Sequence, residues 1–203
     1  MKEIAANIWN AWNEQGGPKY PHEKVVQFCF RNYPQDQRGN VRALDLGCGS
    51  GVHVVFLAAE GFKTTGTDIS EVGIANAKRK LNALGLDAVL RTAGADEMDF
   101  PPGSFDLVIC VGVYDCVGPA VAKSSVGKLL DVLSLGARGL FLFASDQDFR
   151  VKGENSLGVH GYNREEVDEI FSRAFARVWI DRYITTYQGG TSEQNDWLIT
   201  VQR

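Results

Sequence analysis

The stretch Ala43-Leu44-Asp45-Leu46-Gly47-Cys48-Gly49-Ser50-Gly51 decides how the rest of this chain is read. It starts as an apolar run and ends in glycines at every second position, just before the helix-like segment 52–59. Glycines so spaced remove Cβ atoms from one side of a strand-to-helix turn, so the backbone can take positive φ and lie against a ligand. Asp45 ends the strand, where a carboxylate can turn the loop by accepting its N–H groups or receive an amino group of the ligand. Two other readings fit the glycines alone. One is an ordinary tight βα turn; the other is the dinucleotide fingerprint G-x-G-x-x-G/A, whose helix N-terminus receives pyrophosphate. The third glycine of that fingerprint would fall at Val52.

Outward from the loop, the chain alternates strand and helix. Segments 41–46, 63–68, 88–92, 105–111, 139–145, 177–184 and 197–202 read as strands, and several are nearly continuous apolar runs, as strands covered on both faces should be. Helical patterns occupy 52–59, 71–84, 121–135 and 165–174. Ser70 suits the N-cap of the second, and Asn163 with Glu166 gives the last a capping-box start. This order predicts a mostly parallel sheet with helices on both faces. No helix fits between the last two strands, so they should pair as an antiparallel hairpin at one edge. A dinucleotide domain does not end that way.

Together these features resemble the class I S-adenosylmethionine-dependent methyltransferases of small-molecule type, over nearly everything after about Val41. The glycine loop resembles their motif I. In Gly66-Thr67-Asp68-Ile69-Ser70, Asp68 stands at the family's position for the acid that takes both ribose hydroxyls, a charge-assisted pairing of one carboxylate with a diol. The resemblance implies an α/β, Rossmann-like, mostly parallel seven-stranded sheet with helices on both faces and a reversed last strand. It implies S-adenosylmethionine as cofactor, held by Asp45, Gly47, Cys48, Gly49, Gly51, Asp68 and Ile69, with Ala95 and Asp96 at the adenine and Cys110 and Val111 on the strand beneath. One position departs from the pattern. Gly94 stands where many members carry an acid for the adenine amino group, and Asp96 comes two places later. The fourth strand lacks both the Pro-Cys motif of pyrimidine C5-methyltransferases and the Asn/Asp-Pro-Pro-Tyr/Phe signature of many amino-methyltransferases, so those classes fall away.

A chain of 203 residues suits one domain of this kind. Residues 41–203 are expected to form the cofactor-binding body and 1–40 an N-terminal helical cap of the same domain. In that cap Ile4, Ile8, Trp9 and Trp12 recur at helical spacing. They read either as plain packing residues or as part of a lid hinged at Gly16 and Gly17, with Tyr20 and His22 facing the acceptor.

Charge and composition narrow the partners. A net charge of −4 provides no general basic field, which argues for a small-molecule acceptor and against nucleic acid. No apolar run reaches the ~20 residues a membrane span needs, and the first residues show no apolar signal-peptide region. Cys29, Cys48, Cys110 and Cys116 are scattered without C-x-x-C spacing, which reads as reduced thiols in a cytoplasmic protein that holds no metal. Nothing in the sequence sets the number of subunits.

Methyl transfer is mostly a matter of positioning. Holding nucleophile and methyl as a near-attack pair lowers the barrier by roughly 7–11 kcal/mol, whereas a general base adds about 10²–10⁴-fold in rate. Candidate catalytic groups lie beyond the carboxyl ends of the strands. Tyr114 and Asp115 follow the fourth strand, although an aspartate there also suits a helix cap. His160 lies in the long segment 146–162, as a proton acceptor or as an ordinary surface histidine. The hairpin loop 187–195 should open on the same edge. The expected activity is methyl transfer to O or N of a small molecule. The alternatives are a protein or RNA acceptor, or binding of the cofactor without turnover.

Overall fold

The computed structural model describes residues 2–152 and 158–203. Its strands are β1 (Arg42–Leu46), β2 (Lys63–Asp68), β3 (Val89–Thr92), β4 (Phe105–Val111), β5 (Leu133–Ala144), β6 (Arg177–Tyr187) and β7 (Ser192–Gln202). They form one sheet in the order β3-β2-β1-β4-β5-β7-β6. The first five strands pair in parallel, while β7 runs antiparallel to both β5 and β6. The order reverses at β1, and its exit is where an open sheet of this type leaves a crevice.

Successive side chains of a strand point to opposite faces, and both faces here are covered. Leu44, Leu46, Val108, Phe141 and Phe143 meet α6 (Pro119–Val132) and α8 (Arg164–Phe171) in the larger core. Ala43, Leu107, Ile109 and Leu140 meet α2 (Glu23–Asn32) and α3 (Val52–Ala59) in the second. A third cluster joins Val54 of α3 to Leu81 of α4 (Glu71–Leu84). α1 (Lys2–Asn13) lies against α4, and its stripe is only partly covered, with Ile4 and Ile8 exposed. α2, by contrast, inserts fully buried Val25 and Cys29 into the core.

Local signals placed the helix starts. The Ser70 hydroxyl accepts the Gly73 N–H at 2.9 Å, and Asn163 with Glu166 forms a reciprocal capping box. The expected helix through residue 135 ends instead at Val132. Leu133 is pulled into pairing with Phe105 and buried, Leu135 turns to solvent, and Gly136 has φ +81°. Helical spacing of leucines thus gave way to a tertiary strand contact. The final hairpin is also tighter than expected. Its strands run to Tyr187 and from Ser192, so most of 187–195 is strand rather than loop.

Candidate functional site

At the crevice, Gly47, Gly49 and Gly51 all have positive φ, at 75°, 49° and 82°. Two of them serve packing as well. A Cβ on Gly47 would overlap Val113 Cγ2, and one on Gly51 would stand 2.5 Å from Ala77 Cβ. The loop is fastened to β2, where Thr67 O accepts the N–H groups of Gly47 and Cys48 at 2.8 and 2.9 Å. Cys48, expected at the cofactor, instead packs its thiol with Val54 and Leu81, while its N–H goes to Thr67 O on β2 and its C=O to the Gly51 N–H.

Asp68 closes the loop from the end of β2. Its Oδ2 accepts the Gly49 N–H at 2.7 Å and its Oδ1 the Ser70 N–H at 2.8 Å. A carboxylate oxygen has two acceptor positions, so each keeps one for a further donor. Burial raises the Asp68 pKa against the pull of those two N–H groups. Asp45 is deeper, at 1% exposure. Burial and the charge of Asp68 push its pKa up to about 8, opposed by the Val54 N–H. Asp45 Oδ2 and Thr67 Oγ1 have no hydrogen-bond partner among the described residues. Buried acceptors left so are costly, and a ligand that brings an ammonium and hydroxyls would satisfy groups of this kind.

The N-terminal segment covers this crevice through polar contacts. Asn10 Oδ1 accepts from Ser70 Oγ at 2.8 Å and from the Val72 N–H at 3.3 Å. Ser50 Oγ donates to Asn13 Oδ1 at 2.7 Å, and Asn76 Nδ2 to Asn13 O at 2.7 Å. Lys80 Nζ reaches Gly16 O at 3.1 Å. Farther on, Tyr20 is 74% exposed, so its ring stands in solvent beside Lys19 rather than facing a pocket. His22 turns inward: its Nδ1 caps α2 by accepting the Lys24 N–H, and its ring meets Tyr183 edge-on at 5.2 Å.

Of the adenine-side residues, Ile69, Ala95 and Asp96 are half-buried. Glu97 makes up for the departure at Gly94. Its Oε2 accepts the Gly94 N–H at 3.0 Å and lies 3.1 Å from where a Gly94 Cβ would be. The acid absent at position 94 is thus present in space.

The exit of β4 separates the remaining candidates. Tyr114 is fully buried among Phe141, Phe143 and Phe171, its hydroxyl 3.0 Å from Ser125 Oγ. That makes it a core residue out of reach of an acceptor, contrary to expectation. Cys110 is likewise core, which leaves it no side-chain contact to offer, while Val111 is half-buried beside the second core. Asp115 begins the turn α5 (Tyr114–Val117) and is 2% exposed. Burial raises its pKa to about 6, against Arg150 and the Ala144 N–H, which reaches Oδ2 at 3.3 Å. His160 donates its backbone N–H to Asp115 O at 2.6 Å, whereas its ring Nε2 sits 3.0 Å from Glu166 Oε1. Part of its segment, 153–157, lies outside the described residues.

Sequence reasoning missed the group that organises this side. Arg150, on the short helix α7 (Phe149–Lys152), binds Asp148 through two bonds of 2.7 and 3.0 Å and also pairs with Asp196. Burial opposes the charge of Asp148, but Arg150 and the N–H groups of Asn195 and Arg150 hold its carboxyl below the usual range. Asp148 and Arg150 share the segment after β5 while Asp196 lies on β7, and no local pattern marks the pairing across them. His53 was also missed, although its place in the first turn after the glycine loop offered a signal. Among the described residues no group of three His, Cys, Asp or Glu is arranged to hold a metal, and no helix is long and apolar enough to cross a membrane. A cavity of about 550 Å³ between α2 and the outer strands, lined by Lys24, Phe28, Arg138 and Trp179, contains none of the candidate residues.

Comparison with known proteins adds to this geometry. Residues 43–136 match the family model described as a methyltransferase domain. A ubiquinone biosynthesis O-methyltransferase of Photobacterium profundum is 30% identical over 134 residues, covering 63% of this chain and 55% of that protein. A phosphatidylethanolamine N-methyltransferase of Cereibacter sphaeroides is 36% identical over 128 residues, covering 59% and 63%. The chain thus spans less than two thirds of the length of these curated relatives. Among solved structures, magnesium protoporphyrin IX methyltransferase of Synechocystis PCC 6803 with bound S-adenosylhomocysteine aligns at TM-score 0.76 and 18% identity, over 100% of this chain and 99% of that one.

Proposed function

Residues 43–136 make this chain a member of the class I S-adenosylmethionine-dependent methyltransferase family, and on that premise we propose that it methylates an oxygen or nitrogen of a small molecule. The observation that carries the reading is Asp68. It holds the glycine loop through Oδ2 and the Ser70 N–H through Oδ1, and each oxygen keeps its other lone pair for a ribose diol. The remaining contacts extend it. Asp45 Oδ2, buried and unpartnered, is matched to the methionine ammonium, and Glu97 to the adenine amino group. When bound, S-adenosylmethionine supplies an electrophilic methyl on a sulfonium.

The chain's own residues then have three tasks. α1, through Asn10 and Asn13, closes the crevice against water. Arg150, with Asp148 and Asp196, ties the segment beyond β5 to β7, beside which the acceptor enters. Asp115, with a pKa near 6, is ionised at neutral pH and receives the proton of the acceptor's O–H or N–H. His160 serves as its backbone support rather than as a base, because its imidazole is engaged by Glu166. The small acceptor accords with a chain of net charge −4 and with the acceptors named for the relatives.

The test is incubation with methyl-labelled S-adenosylmethionine and a panel of phenols, carboxylates, amines and ethanolamine lipids, alongside cell protein and RNA. Label in an organic acceptor is the expected result. Label in protein or RNA alone, or binding of S-adenosylhomocysteine with no transfer to any fraction, would overturn the small-molecule reading.

A further inference from the structure

His53 lies between the covering segment and the glycine loop, and its two ring nitrogens face different partners. Its Nε2 is 3.2 Å from the backbone N of His22, and its Nδ1 is 4.0 Å from Asp45 Oδ1. A backbone N–H can only donate, so Nε2 must be the acceptor. A neutral imidazole carries one proton, and that proton is then on Nδ1, turned toward Asp45. The ring is neutral because burial, with His22 adding to the effect, lowers its pKa to about 4. His22 is fixed in the complementary way. Its Nδ1 accepts the Lys24 N–H at 3.1 Å, which leaves the proton of its neutral form on Nε2, on the ring that meets Tyr183.

We propose that His53 is a positioning residue that ties the His22 end of the covering segment to the Asp45 carboxylate, so that cofactor binding and closure of the segment reinforce each other. The proposal rests on the cofactor reading above, which places Asp45 at the ammonium, but concerns His53 and His22, to which that reading gives no role. The gap of 4.0 Å is about 1 Å longer than a hydrogen bond. A cation arriving at Asp45 Oδ2 favours the ionised carboxylate, and the ionised carboxylate draws the Nδ1–H of His53 to Oδ1. Because Nε2 of the same ring holds His22, that movement tightens the segment over the site. In the reverse direction, a docked segment presents Asp45 with a correctly oriented donor before the cofactor arrives. Such mutual reinforcement is a coupling between two contacts of one ring, and it is reciprocal.

The test separates the two contacts. In full-length protein with ¹⁵N-labelled histidine, the chemical shifts of His53 should report a protonated Nδ1 and an unprotonated Nε2, with or without S-adenosylhomocysteine. The opposite tautomer would overturn the proposal even if the protein bound no cofactor, which keeps its failure distinct from failure of the methyltransferase reading. Two variants then divide the ring. His53→Gln keeps an acceptor near the Nε2 position, and His53→Asn keeps a donor near the Nδ1 position. His53→Gln should preserve hydrogen-exchange protection of the His22 amide while weakening S-adenosylhomocysteine about tenfold, the effect of losing one hydrogen bond to a charged group. His53→Asn should lose most of that amide protection and show a smaller loss of affinity. Indistinguishable behaviour of the two variants in both readouts would mean that His53 is only a packing residue.

Discussion

The two halves of the crevice are built differently. On the β1–β2 side, Asp45, the glycine loop and Asp68 fall within 24 residues of chain, and the loop is held largely through its backbone: Thr67 O accepts the N–H groups of Gly47 and Cys48, and Asp68 accepts that of Gly49. On the β4–β7 side, Asp115 of α5, Asp148 and Arg150 of the segment after β5, and Asp196 of β7 converge around one guanidinium. The first half can be specified by a short motif because its geometry is local. The second exists only once the sheet has brought remote residues together. A shared donor and a variable acceptor call for that division, with the constant part in a motif and the variable part in loops.

The contrast can be tested from its largest consequence down. Asp68→Ala removes the two acceptors proposed for the ribose and the brace on Gly49, and should weaken S-adenosylhomocysteine by about 10³-fold in calorimetry without unfolding the protein. Arg150→Met leaves Asp148 and Asp196 buried without their cation. Denaturant unfolding should show a loss of about 3 kcal/mol, toward the low end for such pairs because the arginine side chain is one third exposed, with the larger catalytic loss falling on acceptor KM. Asp115→Asn should lower kcat about 10²-fold and abolish the acid limb of the rate profile near pH 6, while cofactor affinity stays unchanged.

A smaller effect concerns stability and pH. The Asp45 pKa is raised to about 8 in the folded chain from about 3.9 unfolded, so between those values the native state binds more protons than the unfolded one, and stability falls as pH rises. Asp45→Asn should therefore raise Tm relative to wild type at pH 8, with the advantage shrinking toward pH 4, and it should weaken cofactor binding. Least of all, Tyr20→Ala should change stability by less than about 0.5 kcal/mol and leave turnover unaltered, because the ring stands in solvent.

The same contrast governs how far the sequence could be read. The alternation of strand and helix in a mostly parallel sheet, the reversed β7, the Ser70 cap and the Asn163 capping box were all legible, because periodicity and capping are local. Asp68 at the end of β2 was legible from its distance to the glycine loop. Tyr114 was misread because only the packing of Phe141, Phe143 and Phe171 reveals which way it turns at the strand exit. Glu97 could not be placed from the sequence because a register argument counts places along the chain, while its carboxylate reaches back in space to position 94. Arg150 had no sequence signature at all; its meaning comes from Asp196, 46 residues away.

The place of β7 carries a consequence for how the molecule comes into being. It lies between β5 and β6 yet follows both in the chain. As a nascent chain lengthens from its N-terminus, the strands flanking the glycine loop are all made by Val111, but β6 must wait, with its eleven residues unpaired on either side, until the next segment is synthesised and slides in beside β5. An open strand of that length invites pairing with other chains. Arg177, Asp181 and Arg182 set charges along it, and in the finished sheet the same charges guard the outer edge.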